Sequence, residues 1–308
     1  MAVGNSVKQE TWKGGNTPVT QVVKLDFAGE LPKPTRDLNK VKADLETAGY
    51  AIYEAALTQA EAIEVRGIVD AELRRDEALD ENKVRRFYTD PDDKNRRLQN
   101  LPDRHKWFQD LLEHPVALEL TRHILGSTIM KESYLVHSYG ANITRPGSAQ
   151  QFIHRDRSSK HAVVSSALQS RFIWCLDDFT EENGATRMAP GSQHGGLMDL
   201  TGATVYETVP AEAPRGSLII YDDRIQHGTG ANLSTDKERA GIIIGYTPPW
   251  CRPMIHYPSV LNPERMKDAS VTVRQLLGYS SVCVGFDAPW EYAPEAVRDL
   301  VVPPKMTW

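Results

Sequence analysis

Cysteine is scarce in this chain. Only three of the 308 residues are cysteines, Cys175, Cys251 and Cys283, and they form no Cys-x-x-Cys motif. A small, odd number of scattered cysteines argues against a disulfide framework and against a structural zinc site. This usage is typical of proteins that are kept in a reducing compartment, and we therefore expect a cytoplasmic location.

Long apolar runs and basic runs are also missing. No stretch approaches the ~20 consecutive apolar residues that cross a bilayer, and the amino terminus, MAVGNSVKQETWKGG, lacks the apolar segment of a signal peptide. The formal net charge is −5, without a block of Lys and Arg. Such a chain does not favour binding to nucleic acid or to an anionic membrane, so we expect neither as a partner.

Apolar residues are present in the proportion that a globular core needs, with 40% hydrophobic and 25% charged residues. Residues 1–35 are rich in Gly, Pro, Thr and Lys, and we expect them to form a flexible N-terminal arm. No linker interrupts the rest, which favours a single domain over 36–308. We divide this domain into a helical part (36–126), a β-rich core (about 127–250) and a C-terminal extension (251–308).

Helical periodicity dominates the first part of the domain. The pattern predicts one helix over about 37–47 and a longer amphipathic helix over about 58–79. Thr58 is the expected N-cap of the longer helix, and Glu61 occupies the capping-box position. A further helical run is expected near 107–125.

Beyond Gly126 the segments become short, β-branched or aromatic, and are separated by Gly, Pro, Asn and Asp. They include SYLVHSY, RFIWCLDDF, TVYETVP, GSLIIYD and AGIIIGYTP. This pattern is typical of an all-β sandwich or barrel. The sequence therefore predicts a mainly β protein whose N-terminal helices pack on a double sheet.

Two histidines and an aspartate form a candidate metal site. His154 and Asp156 are separated by one residue, so on a strand both side chains point to the same side. His227 lies where a buried-looking strand meets a Gly-rich turn. Two imidazoles and one carboxylate can occupy one face of an octahedral Fe(II) and leave the opposite positions open for oxygen activation. The triplet alone is weak evidence, because Asp156 could equally form a surface salt bridge.

Three segments in order resemble the phytanoyl-CoA hydroxylase-like branch of the Fe(II)/2-oxoglutarate dioxygenases. They are QFIHRD, DDFTEENGATRMAPGSQH and HGTGANLSTDKERAGIIIGY, and the resemblance covers roughly residues 45–250. It implies a double-stranded β-helix, or jelly roll, in which His154, Asp156 and His227 bind Fe(II) and 2-oxoglutarate is the co-substrate. Halogenating relatives replace the carboxylate ligand, so the presence of Asp156 disfavours halogenation.

The resemblance also implies a set of residues around 2-oxoglutarate. Arg239 would pair with its distal carboxylate, because the guanidinium fork matches a planar carboxylate. The alternative for Arg239 is a surface ion pair with a neighbouring acidic residue. Thr229, Gln151 and Thr186 are further candidates, although Gln151 needs a slight bulge to face the site and Thr186 could simply belong to a turn. Arg97, which ends a polar connector, is the last candidate, with a solvated charge at a helix start as its alternative.

Tyr246 is the candidate for a chemical role besides the iron ligands. In some endoperoxide-forming relatives a tyrosine in this region takes part in radical chemistry. The separation between Arg239 and Tyr246 is odd, so strict alternation points them to opposite faces. Only a bulge near Gly241 or Gly245 would return Tyr246 to the site, and a packed core tyrosine is the alternative.

The resemblance implies that 36–308 is a dioxygenase domain that oxidises a C–H bond of a small, largely apolar natural-product-type substrate. The reaction would consume O2 and 2-oxoglutarate and release succinate and CO2, with hydroxylation as the default and desaturation or epoxidation as variants. Two other classes stay open: a cupin-like metal enzyme that does not use 2-oxoglutarate, and a non-catalytic jelly-roll module that binds a ligand. Related proteins often form homodimers, although no sequence feature shows an interface.

Overall fold

The computed structural model describes most of the expected domain and the end of the expected arm. The described residues are 21–24, 27–79, 90–126, 134–156, 166–194, 204–279 and 295–300. Most of the arm (1–35) and Cys283 lie outside these ranges. The described end of the arm forms a strand, β1 (Gln21–Val23), which pairs in parallel with β7 (Thr204–Tyr206). Residues 21–23 therefore pair with a strand of the folded domain.

Helices cover one side of the domain. They are α1 (Leu38–Ala48), α2 (Gln59–Leu79), α3 (Lys106–Leu112), α4 (Pro115–Leu125), α5 (Pro263–Met266), α6 (Val271–Leu276) and α7 (Glu295–Arg298). None of the helices in the described part of the chain combines the length and the apolar character that crossing a bilayer requires.

The caps of the first two helices follow from their sequences. Asp37 caps α1 by accepting a hydrogen bond from the Asn39 N–H, and Gly49 ends it with a φ of 80°. At the start of α2 the Thr58 N–H donates to Glu61 Oε2 at 2.8 Å, and the Glu61 N–H donates to Thr58 Oγ at 3.2 Å. The predicted capping box is therefore confirmed.

The run expected as one helix near 107–125 is two helices. Pro115 stands at the first position of α4, where its fixed φ suits a helix start. The residue before a proline is disfavoured in the helical region, so α3 ends and a new helix begins. This break was legible in the sequence, because a proline in a helical pattern marks a boundary.

Besides the β1–β7 pair, the strands form two antiparallel sheets. They are β2 (Tyr50–Tyr53), β3 (Asn95–Gln99), β4 (Leu135–Thr144), β5 (Ser170–Cys175), β6 (Arg187–Met188), β8 (Val209–Pro210), β9 (Leu218–Asp222), β10 (His227–Gly228) and β11 (Arg239–Thr247). The larger sheet has the order β2-β9-β5-β11-β4-β3, and the smaller has the order β10-β6-β8. The end of the expected polar connector is thus an edge strand, β3, which pairs with β4.

Alternation along the central strand β11 separates two layers of the core. Ala240, Ile242 and Ile244 pack with residues of the helices in the larger apolar cluster. Ile243 points the other way and packs against the cluster between the two sheets. Because side chains on a strand alternate between faces, the helices cover the outer face of the larger sheet and leave its inner face for the space between the sheets.

Two glycines test the backbone of this fold. Gly216 has a φ of +84°, and a Cβ there would lie 2.4 Å from the Leu57 carbonyl oxygen. We expect Gly216→Ala to lower the free energy of unfolding by at least about 1–2 kcal/mol, the cost of the left-handed conformation alone. Gly67 lies in the middle of α2, and a Cβ added there would meet no atom within 4 Å. Gly67→Ala should therefore raise stability by about 0.5–1 kcal/mol.

Urea unfolding of the two variants beside the unchanged protein measures both effects. Equal midpoints for Gly216→Ala and the unchanged protein would contradict the positive φ at this turn.

Candidate active site

A pair of backbone hydrogen bonds joins the two histidines. The His154 N–H donates to the His227 carbonyl at 2.9 Å, and the His227 N–H donates to the His154 carbonyl at 2.8 Å. The two residues therefore stand directly opposite each other in an antiparallel bridge, where paired side chains share one face. Their imidazole centroids are 4.6 Å apart.

Both imidazoles are oriented through the same nitrogen. Nδ1 of His154 lies 3.0 Å from the Phe152 carbonyl oxygen, and Nδ1 of His227 lies 3.2 Å from the Ile225 carbonyl oxygen. A proton on each Nδ1 satisfies these carbonyls and leaves the Nε2 lone pair available, which is the arrangement of metal-binding histidines.

The carboxylate of Asp156 completes the group. Its Oδ1 lies 3.9 Å from His154 Nε2, and its Oδ2 lies 3.6 Å from His227 Nε2. One potential ligand atom from each of the three residues lies within 4.8 Å of the others. Two imidazole nitrogens and one carboxylate oxygen on a single side of a cavity fit a ferrous ion with open positions.

The electrostatics favour the metal-binding forms of Asp156 and His227. Burial by itself would raise the pKa of Asp156, but Arg171 and then the nearby imidazoles outweigh it and bring that pKa to about 2. Burial lowers the pKa of His227 to about 4. At neutral pH the carboxylate is therefore ionised and the His227 imidazole is neutral, as metal ligation requires.

A cavity of about 190 Å³ opens in front of the three residues. Every residue that we predicted to bind iron or the co-substrate lines it: His154, Asp156, His227, Arg97, Gln151, Thr186, Thr229 and Arg239. The sequence separates these residues by more than a hundred positions, and the two sheets bring them together.

Arg239 is a buried cation at the closed side of this cavity. It is 2% exposed, its Nη2 donates to the Gly184 carbonyl at 2.8 Å, and its guanidinium carbon lies 4.6 Å from the centre of the Phe179 ring. Within the described ranges no carboxylate lies at ion-pair distance and Nε has no hydrogen-bond partner. The alternative of a surface pair is excluded, since neighbouring Glu238 pairs with Arg66 instead, at 2.8 Å.

Burial lowers the pKa of Arg239 to about 10, which still leaves it protonated at neutral pH. A buried charge without a counterion is costly. The carboxylate of a bound diacid would supply the missing negative charge, and this is the observation in favour of 2-oxoglutarate.

The other co-substrate candidates are held in a polar network. The Gln151 N–H donates to the Thr229 carbonyl at 2.9 Å, and the Thr229 N–H donates to Gln151 Oε1 at 3.0 Å. Arg97 is not a solvated charge at a helix start. It lies on β3, and Asp90 binds it through two contacts of 3.0 and 2.6 Å. Thr186 lies just before β6 and is buried at the cavity wall.

Tyr246 does not reach the cavity. The register between β11 and β4 shifts at this point, but the extra residue is His137 on β4, so β11 keeps its alternation. Tyr246 therefore faces the helices, opposite to Arg239. Its hydroxyl donates to the Leu112 carbonyl at 2.8 Å, and its ring packs edge-on against Phe172. This placement corrects the expected catalytic role: Tyr246 is a core residue.

Several residues of the site were not predicted from the sequence. Arg171 and Tyr221 approach the carboxylate of Asp156, and Asn142 donates to Thr229 Oγ at 3.3 Å. None belongs to a motif. The one available signal was a charged residue, Arg171, in the otherwise apolar strand RFIWC, where an unpartnered charge would be unfavourable.

Comparison with known proteins agrees with this geometry. The family model of phytanoyl-CoA dioxygenase (PhyH) matches residues 45–241, and the chain belongs to this family. Dioxygenase af480 of Aspergillus fumigatus is 31% identical over 255 residues, covering 80% of this chain and 79% of that protein. The Fe(II)/2-oxoglutarate-dependent dioxygenase nvfF of Aspergillus novofumigatus is 28% identical over 197 residues, covering 61% and 63%. The chain is thus a dioxygenase.

Solved structures share the fold. The non-heme alpha ketoglutarate dependent carbocyclase SnoK from nogalamycin biosynthesis aligns with a TM-score of 0.56 and 17% identity, over 71% of this chain and 87% of that one. HygX from Streptomyces hygroscopicus, with nickel, 2-oxoglutarate and hygromycin B bound, aligns with a TM-score of 0.51 and 15% identity, over 70% and 88%. The predicted jelly-roll class is confirmed.

The position of Tyr246 predicts the behaviour of Tyr246→Phe. Removing the hydroxyl leaves the buried Leu112 carbonyl without this donor, so stability should fall by about 1–3 kcal/mol. Turnover per folded molecule should not change, because the hydroxyl is outside the cavity. Tyr134→Phe is the matched control, since the Tyr134 hydroxyl likewise donates to a backbone carbonyl, that of Gly126, and Tyr134 does not line the cavity. Loss of turnover in Tyr246→Phe alone would restore the catalytic role.

Proposed function

We propose that this chain is an Fe(II)/2-oxoglutarate-dependent oxygenase that oxidises a C–H bond of a small, largely apolar, natural-product-type substrate and releases succinate and CO2. One observation carries the proposal. Two groups line the same cavity. One is the cluster of two histidines and a carboxylate, and the other is a buried arginine that has no carboxylate partner in the described residues. The first fits a ferrous ion, and the second fits the far end of a diacid.

His154, Asp156 and His227 would hold Fe(II), and Arg239 would hold the distal carboxylate of 2-oxoglutarate. When bound, iron and the co-substrate supply oxidation of 2-oxoglutarate by O2 coupled to removal of a hydrogen atom from the substrate. Thr229, Gln151, Thr186 and Arg97 would shape the co-substrate pocket.

The chain contributes ligand geometry and exclusion of water. The carbonyls of Phe152 and Ile225 orient the two imidazole rings, so that both Nε2 atoms are available to the metal. Ile243 and Ile255 form apolar parts of the cavity wall. Because Arg239 is buried, charge pairing at its guanidinium is stronger than it would be in water.

The proposed substrate class is supported by the similar solved structures and by the residues that line the cavity. SnoK is named for nogalamycin biosynthesis and HygX holds hygromycin B, which supports a natural-product-type substrate. Apolar side chains beside the polar groups support a largely apolar one. The relatives named as dioxygenases disfavour a non-catalytic module, and Arg239 disfavours a cupin-like enzyme without 2-oxoglutarate.

The setting of the enzyme is also part of the proposal. We infer one dioxygenase domain over 36–308, a cytoplasmic location, no nucleic-acid or membrane partner, and a homodimer. The location is supported by the free thiols of Cys175 and Cys251. The homodimer is supported only by the fact that related proteins often form homodimers.

The iron site is tested without knowing the substrate. Anaerobic titration of the protein with Fe(II) and 2-oxoglutarate should produce the weak visible charge-transfer band of the chelated co-substrate, and His227→Ala should abolish it. His194→Ala is the matched control, because His194 is exposed and its Nε2 contacts the Glu46 carbonyl instead. A normal band in His227→Ala would remove His227 from the ligand set.

The arginine clamp is tested by Arg239→Gln. Charge-assisted hydrogen bonds contribute about 1.5–3 kcal/mol, so the dissociation constant for 2-oxoglutarate should rise about 10- to 100-fold. Arg215→Gln is the control, since Arg215 pairs with Asp177 outside the cavity. The same titration measures both variants. Unchanged affinity for 2-oxoglutarate in Arg239→Gln would favour the cupin-like alternative.

A further inference from the structure

The three proposed iron ligands are not held in the same way. The backbone bridge fixes the positions of His154 and His227. Asp156 lies two residues beyond that bridge, in a bend rather than in a strand. A regular strand therefore does not orient its carboxylate, and contacts of the side chain itself have to do so.

The larger sheet presents a row of four residues beneath this carboxylate. Arg171 on β5 pairs in register with Tyr221 on β9 and with Gly245 on β11, and Gly245 pairs in turn with Ser138 on β4. Neighbours in such a row lie on the same face of the sheet. The row thus crosses four strands on the face that lines the cavity.

Arg171 is the member of this row that engages the ligand. Its Nε lies 2.8 Å from Asp156 Oδ2, an ion-pair contact in which the N–H is not aligned for a hydrogen bond, and its Nη1 contacts the Ser138 hydroxyl. The Tyr221 hydroxyl approaches the same Oδ2 at 3.4 Å. Arg171 is 5% exposed, so this ion pair is shielded from water.

Gly245 provides the space that the guanidinium needs. A Cβ at this position would lie 2.5 Å from Arg171 Nη1 and 3.1 Å from its Cζ. A side chain of any other type at residue 245 would push the arginine out of its present place. The position of the Arg171 guanidinium therefore depends on the absence of a side chain at Gly245.

We propose that Arg171 is a positioning residue for the iron ligand Asp156. By engaging Oδ2, it restrains the carboxylate to offer a single oxygen to the metal. A carboxylate that binds through one oxygen occupies one coordination position, which leaves the others for co-substrate and oxygen. This inference rests on the proposed function, and it adds a residue to it that neither a motif nor the ligand geometry identifies.

A purely structural role for Arg171 predicts something different. Breaking a buried ion pair lowers stability, but it would leave the metal affinity of the folded fraction unchanged. A positioning role changes the affinity and the ligand geometry of the folded protein. The deciding measurement is therefore made on metal binding, with thermal unfolding recorded beside it.

The experiment compares Arg171→Gln, Gly245→Ala and the unchanged protein. Anaerobic Fe(II) titration gives the dissociation constant, and the visible spectrum of the Co(II)-substituted protein reports the ligand geometry. Loss of a residue that orients a metal ligand costs about 10- to 100-fold in metal affinity, and we expect this loss in Arg171→Gln together with an altered Co(II) spectrum. Gly245→Ala keeps the positive charge but displaces it, so it should shift both readouts in the same direction.

Arg104→Gln is the matched control. Arg104 is a half-buried arginine that pairs with Asp76 at 2.7 Å and with Glu72 at 2.9 Å, outside the cavity. It should lose stability without a change in Fe(II) affinity.

Two results would overturn the positioning role. One is unchanged affinity and spectrum in folded Arg171→Gln. The other is unchanged behaviour of Gly245→Ala, which would assign any effect of Arg171 to its charge alone and which decides the question if Arg171→Gln fails to fold. If the protein without any substitution binds no Fe(II), the proposed function is overturned as well. The failure of the positioning role and the failure of the proposed function are therefore distinguishable.

Discussion

The site depends on two backbone hydrogen bonds. They join His154 and His227 as direct partners, although β5 and β9 of the larger sheet lie between them in the chain. A backbone pair sets the distance between two Cα atoms and the face on which both side chains lie, whatever those side chains are. The geometry of the two imidazoles is therefore a property of the strand register, and a slip of one segment by one residue would turn its imidazole away from the cavity.

The arginines that line the cavity differ in whether a carboxylate of the protein pairs with them. Arg97 is neutralised by Asp90, and Arg171 is neutralised by Asp156. Arg239 has no carboxylate partner in the described part of the chain. Arg97 and Arg171 thus have their counterions within the protein, whereas Arg239 is left to an incoming anion. A bound diacid would therefore give Arg239 the carboxylate partner that Arg97 and Arg171 already have.

The sequence carried the architecture well. Cap residues such as Asp37 and Thr58 marked the helix starts, and the β-branched runs after Gly126 became strands of the sheets. Both signals are local, so a single chain displays them. Apart from Arg97, the residues of the proposed iron and co-substrate sites were found through ordered motifs, and the fold places all of them, with Arg97, at one cavity.

Two kinds of information were beyond the sequence. The side of a strand to which Tyr246 points depends on which strand carries the bulge, and that is decided by the pairing of β11 with β4. The partner of Asp156 is Arg171, which a register across neighbouring strands places beneath it. Interactions across strands leave no periodic trace in the chain, since they depend on distant segments meeting in one register.

The unneutralised guanidinium of Arg239 would link binding of the co-substrate to the stability of the folded chain. A folded chain that buries a lone cation gives up part of its stability until a diacid arrives. Ligand at a hundred times its dissociation constant stabilises a folded protein by about 2.7 kcal/mol. Because cellular degradation samples the unfolded fraction, a fall in the supply of 2-oxoglutarate would shorten the survival of the enzyme as well as slow its turnover.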